Sequence, residues 1–229
     1  MSSKAISVTR SHSFRLTVSV FCVAVSVALS AIFHAAGANG VMFLPMHLPI
    51  LLLGFLAGAK YAAGAGFVTP FLVSFIPIAG RPFGMPPIFP IATAMSLELA
   101  TFGAVAGLLY WVLLGRKATE EDRLDGQRAG AKDIVMEVLL VVASLVGAMI
   151  AGRLVYGLAA SILYPMASEV FGLTNPMGFP FRFGVTDWLR TVFVTGLPGI
   201  AIQLISIPTI VVILRRARII GSGQIQGDK

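Results

Sequence analysis

The sequence predicts an all-α integral membrane protein with six transmembrane helices and both termini cytoplasmic. Three observations carry this reading. Apolar runs of 18 or more residues recur along the 229-residue chain, each long enough to cross a ~30 Å hydrocarbon core. Hydrophobic residues make up 57% of the chain and charged ones 12%, with mean hydropathy +0.90; a soluble domain carries about twice that charged fraction. The runs lack a ~10-residue alternating pattern, so helices are expected rather than a barrel. Charge placement points the same way. With six spans and an inner N-terminus, thirteen Lys and Arg residues fall inside and only Arg81, Arg182 and Arg190 outside, with Arg153 in the membrane. That is the positive-inside bias. It explains the net charge of +7 better than nucleic-acid binding does.

Residues 1–13 read as a short cytoplasmic segment, followed by a first span at about 14–36. A signal peptide is the alternative, but the apolar part exceeds the usual ~7–15 residues, so a retained helix is expected. Ala24, Ala28 and Ala31 place small residues on this span, with AxxxA spacing that lets another helix approach closely. Alanine is also common in any membrane helix.

The second span, about 46–59, is short for a straight crossing and is expected to be tilted or broken at Pro49. The third, about 62–79, is rich in Gly and Ala and contains Pro70. A turn at 80–87, GRPFGMPP, holds Arg81. The fourth span, about 88–114, carries Glu98 near its middle and ends in Tyr110 and Trp111. Residues 115–133 form the most hydrophilic segment. The fifth span, about 134–163, contains Arg153, and a Pro-, Gly- and Phe-rich loop follows over 164–190. The sixth, about 191–214, contains Pro198, Gln203 and Pro208, and 215–229 form a cytoplasmic tail.

Glu98 and Arg153 stand out because an ionised side chain at membrane depth costs at least ~2.5–3.5 kcal/mol on insertion scales. Two readings stay open and can coexist. Arg153 can bind an anionic ligand group with Glu98 below it, or the two can pair and pin the fourth span to the fifth. His47, between two prolines on the outer side, is either a hydrogen-bonding site residue or a residue that caps the helix entry or faces lipid headgroups. Asn39 and Arg81 are site candidates by their placement in the outer turns. Gln203 is expected to serve an interhelical hydrogen bond. Phe179, Phe181, Phe183 and Trp188 can close over a ligand or anchor at the interface. Cys22 is the one cysteine, so no internal disulfide forms. No GxxxxGK[ST], HExxH or GxSxG occurs. The three histidines lack ligand spacing, and neither a metal nor another cofactor is expected.

Four segments in order, MFLPMHLPILLLGFLAGAKYAAGAGFVTP, GMPPIFPIATAMSLELATFGAVAGLLY, AGRLVYGL and PGIAIQLISIP, resemble the substrate-binding S components of energy-coupling factor (ECF) vitamin transporters. The resemblance implies six helices in the cell membrane and a vitamin site opening outward beneath the outer loops. It implies no catalysis by the chain itself, and partnership with a transmembrane subunit and a pair of ATPases. Small residues of the first helix would face that subunit, here Ala24, Ala28 and Ala31. Carried over by position, His47 and the turn 80–87 would border the pocket, with Glu98 and Arg153 lining it. The nearest-looking members take pantothenate or folate. Both bear a carboxylate, which Arg153 could hold with two parallel hydrogen bonds. Segment 115–133 is longer than the family leads one to expect. The rival readings are an intramembrane enzyme using Glu98 and a stand-alone facilitator.

Overall fold

The computed structural model describes residues 12–35, 45–75, 88–121, 131–170, 172–173, 184–190, 194 and 196–216. Seven helices occur among them: α1 (His12–Ala35), α2 (His47–Ala57), α3 (Ala59–Phe75), α4 (Ile88–Glu121), α5 (Ala131–Glu169), α6 (Val185–Leu189) and α7 (Leu197–Arg216). Four of these, α1, α4, α5 and α7, contain stretches long and apolar enough to cross a bilayer. At 1.5 Å per residue, the 11 residues of α2 reach only about 17 Å and the 17 of α3 about 26 Å.

The centre of the bundle is α4, which packs on α2, α3 and α5. Its partners run in opposite senses. Along α2, His47 lies beside Phe102 and Phe55 beside Tyr110, so α2 runs parallel to α4. Along α3 the order inverts: Ala59 meets Gly107, Ala62 meets Gly103 and Gly66 meets Leu99. The chain therefore reverses at Gly58, whose φ of +92° and ψ of 173° lie in a region essentially closed to side-chain-bearing residues. Tight α2–α3–α4 packing depends on missing side chains. A Cβ on Gly66 would stand 2.5 Å from the Leu99 carbonyl oxygen, and one on Gly103 2.7 Å from the Ala62 carbonyl.

Helix α5 runs antiparallel to α4, with Gly147 against Leu109 and Gly152 against Phe102. Helix α7 closes on α5 where Arg215 meets Glu137 at 3.1 Å. Helix α1 packs on α2 and α3, and the Arg15 guanidinium lies 5.9 Å over the Tyr61 ring. One end of the bundle thus collects Arg15, Lys60, Tyr61, Tyr110, Glu137 and Arg215. His47 lies toward the other end, as does Trp188.

Outside and inside are inverted relative to a soluble domain. Val20, Phe21, Ile32, Leu108, Leu139, Leu154, Leu158 and Ile205 are all exposed, whereas Ser19, Ser26, Ser30, His47, Glu98, Arg153 and Gln203 are buried. An apolar shell of this extent suits a hydrocarbon solvent.

Several boundaries differ from the sequence reading. Helix α4 continues to Glu121 and α5 begins at Ala131, so both ends of the hydrophilic segment 115–133 are helical. Ala118, Glu120 and Glu121 are strong helix formers, and emergence from an apolar environment does not require a helix to stop. Helix α5 also runs through Pro165 to Glu169, into what reads as loop; one missing N–H near a helix end forfeits a single hydrogen bond. The expected sixth span begins later, at Leu197, because the short α6 precedes it.

Candidate functional site

Three of the five expected binding residues meet. His47 opens α2, Glu98 lies about a third of the way along α4, and Arg153 lies past the middle of α5. The Arg153 Nη1 donates to Glu98 Oε1 at 2.5 Å, and His47 Nε2 stands 4.0 Å from Glu98 Oε2. All three side chains are buried, His47 and Glu98 at 2% exposure. The two charges oppose each other, so neither is stranded in a low-dielectric interior. Pairing and ligand binding remain compatible. One guanidinium nitrogen serves Glu98, and a planar fork of five donors retains capacity for a second acceptor.

Phe102 joins the group. It sits one turn beyond Glu98 on α4, with the His47 ring 5.3 Å from its centroid and the Arg153 guanidinium 5.4 Å over its face. The ring face attracts the cation. This arrangement rests on Gly152, where any Cβ would collide with the Phe102 ring. Glycine next to Arg153 therefore lets α5 approach α4 closely enough for the ion pair.

Two tyrosines of α5 extend the site, and the sequence reading did not select them. The hydroxyls of Tyr156 and Tyr164 lie 2.9 Å apart, and both side chains stand within electrostatic range of Glu98. Tyr156 is three residues beyond Arg153, a spacing that puts both on one helix face; that was the available signal. Trp188 packs on Gly157, the next position on that face.

Asn39 and Arg81 lie outside the described residues, as do Phe179, Phe181 and Phe183. Gln203 is buried. The expected partner-facing residues lie on the outward side of α1: Ala24 and Ala28 are exposed and Ala31 partly so, while Cys22, Ser26 and Ser30 face inward.

The polar cluster is small, buried and built from three helices of an apolar bundle. That is the arrangement expected of a small-molecule site between helices. No curated protein and no solved structure matches the chain. Residues 15–211, which include most of α1, the His47–Glu98–Arg153 cluster and most of α7, match the family model described as "ECF transporter, substrate-specific component". The chain belongs to that family of membrane transport components, which is not a family of enzymes.

Proposed function

We propose that this chain captures a small vitamin or related metabolite, pantothenate- or folate-like, at the outer face of the cell membrane. A separate module, a transmembrane subunit with a pair of ATPases, would then drive uptake. The observation that carries the ligand site is the meeting of His47, Glu98 and Arg153 in an otherwise apolar interior. A carboxylate can take the remaining donors of Arg153 while Glu98 holds the guanidinium in place. Polar groups buried at this cost are retained where a partner or ligand uses them.

Six spans with both termini inside follow if α2 and α3 form a hairpin within the membrane. The basic residues Arg15, Lys60 and Arg215 share one end of the bundle, and the positive-inside rule makes that end cytoplasmic. The site then opens to the other side. The outward Ala24 and Ala28 of α1, with Ala31 beside them, offer the transmembrane subunit a close-packing surface.

The test is equilibrium binding to the purified single chain with a vitamin panel headed by pantothenate and folate. Saturable binding of one compound, weakened by more than about ten-fold in Arg153→Ala, is expected, since bidentate charge-assisted bonds are the strong ones. Unchanged affinity in that variant would remove Arg153 from the site. An empty panel from folded protein would remove the vitamin assignment.

A second reading draws on His47. A histidine 4.0 Å from Glu98 is what an intramembrane acid–base enzyme would need. The Glu98 oxygen held by Arg153 weighs against it, as does membership of a transport family. Turnover of a bound compound by the isolated chain, abolished in His47→Ala, would reverse this preference.

A further inference from the structure

Beyond the buried trio, α5 carries a line of groups toward the outer end that the capture reading leaves unused. Tyr156, Gly157, Ala160 and Tyr164 follow Arg153 at three, four, seven and eleven residues, a spacing that keeps them on adjoining parts of one face. Ala160 is wholly buried. Tyr156 and Tyr164 join hydroxyls at 2.9 Å across it. Side chains on a helix lean toward its N-terminus, which carries Tyr164 back over Ala160 toward Tyr156. Trp188 of α6 fits against Gly157: a Cβ there would stand 2.8 Å from its Cζ2 and 2.9 Å from its Cε2. The indole therefore sits in a notch that only glycine provides, about 6 Å along α5 from Arg153.

We propose that Tyr156, Tyr164 and Trp188 form the outer wall of the ligand site, an aromatic cap seated on Gly157 under which the outer half of the ligand binds. This rests on the reading that the Glu98–Arg153 pair is the ligand's inner contact. It also narrows the ligand class. The indole offers a flat π face, and the phenol pair offers a donor and acceptors that exchange between each other and a guest. The cap suits a molecule with a polar or anionic inner end and a planar or apolar outer body bearing a hydrogen-bonding group. A ligand arriving from this end must part the cap, because the wall covers the face of α5 that leads to Arg153.

The test uses no ligand. Cys22 is the one native cysteine, so Cys22→Ala with Ala160→Cys places a single thiol beneath the cap. Labelling by a charged, water-soluble methanethiosulfonate is expected to be slow, and at least about ten-fold faster once Trp188→Ala is added, as protection tracks the population of the open form. Equal rates would overturn the proposal. So would an equal acceleration by Leu189→Ala, a neighbour whose side chain is exposed, because that would mean general loosening. Independently, Trp111→Phe leaves Trp188 as the sole tryptophan of two. Adding Gly157→Ala should then shift its emission to the red and raise its quenching by iodide. Unchanged emission would mean that the indole is not seated at Gly157. Failure in either measurement would leave the vitamin panel's result standing, and an empty panel would leave the cap standing.

Discussion

Removing Arg153 should do two separable things, and the structure sets the size of the first. Arg153→Ala leaves the Glu98 carboxylate at 2% exposure, without its hydrogen-bonded counter-charge and with the cation over Phe102 gone. Breaking a buried pair from one side costs ~3–5 kcal/mol. For a chain of this length, 1 kcal/mol corresponds to a melting shift of about 2–4 °C, so a fall of roughly 6–20 °C is expected. Glu98→Leu with Arg153→Met removes both charges and keeps similar volumes, and should return to within about 3 °C of the parent, since apolar replacement of a buried pair is often neutral. The protein supplies its own reporter: Cys22 is buried at 5% exposure, so a fluorogenic thiol reagent lights up as the bundle opens. If the single variant melts with the parent, or the double melts as low as the single, the pair does not hold α4 to α5 as argued. The double variant also separates stability from recognition, because it should fold normally yet bind no ligand.

Two further expectations test packing and partnership. Gly66→Ala drives a Cβ to 2.5 Å from the Leu99 carbonyl oxygen, whereas the same change at Gly64 meets nothing within 4 Å. The first should lower the melting temperature, by the ~1–3 kcal/mol typical of overpacking, and the second should hold or raise it, as alanine in a helix gains ~0.5–1 kcal/mol over glycine. Matched melts would mean that α3 and α4 are not in backbone contact. Ala28→Leu adds bulk to an exposed position of α1; the isolated chain should melt as the parent does, while co-purification with the proposed transmembrane subunit is lost. Retained co-purification would put the partner surface elsewhere.

How much of this was legible in the sequence depends on what each residue contrasts with. Glu98 and Arg153 were visible because a charge in an apolar run has no cheap explanation, and His47 because two prolines frame it. The Glu98–Arg153 pair was one of two open readings; what the sequence could not give was the register that packs His47 and Phe102 against it. That register comes from glycines: Gly152 admits Phe102, and Gly54, Gly66, Gly103 and Gly107 let backbones touch. In a membrane segment rich in Gly and Ala, such positions look like their neighbours. The reversal between the second and third spans was expected at about 60–61; that Gly58 makes it was hidden, since φ of +92° leaves no mark on composition. Tyr156 was not selected at all, and Trp188 stood as either a ligand cover or an interfacial anchor; the notch at Gly157 that seats the indole has no mark in the sequence. The helical ends of segment 115–133 are not legible from hydropathy, because charge ends the apolar environment and not the helix.

Between the polar site and the basic end lies a continuous apolar layer. Leu51 and Phe55 of α2, Phe102, Ala106 and Tyr110 of α4, Val141, Leu145 and Ala148 of α5, and Ile207 and Val211 of α7 are wholly or almost wholly buried in one cluster. At its far edge Arg215 pairs with Glu137 at 3.1 Å, tying α7 to α5. Among the described residues, this cluster offers a polar ligand held at Arg153 no continuous hydrophilic path. To pass, it would have to leave its hydrogen bonds unmade, at roughly 1–3 kcal/mol for each neutral group and more for a charge, and to prise apart packed side chains as well. The isolated chain should therefore bind without transporting. In liposomes containing only this protein, a ligand identified by the binding panel should saturate the outward-facing sites and accumulate inside no faster than in protein-free vesicles. Accumulation above that background would mean that the layer opens by itself and would favour a stand-alone facilitator. Uptake that appears only when the transmembrane subunit, the ATPases and ATP are added would mean that the work of delivery is done on this chain from outside it.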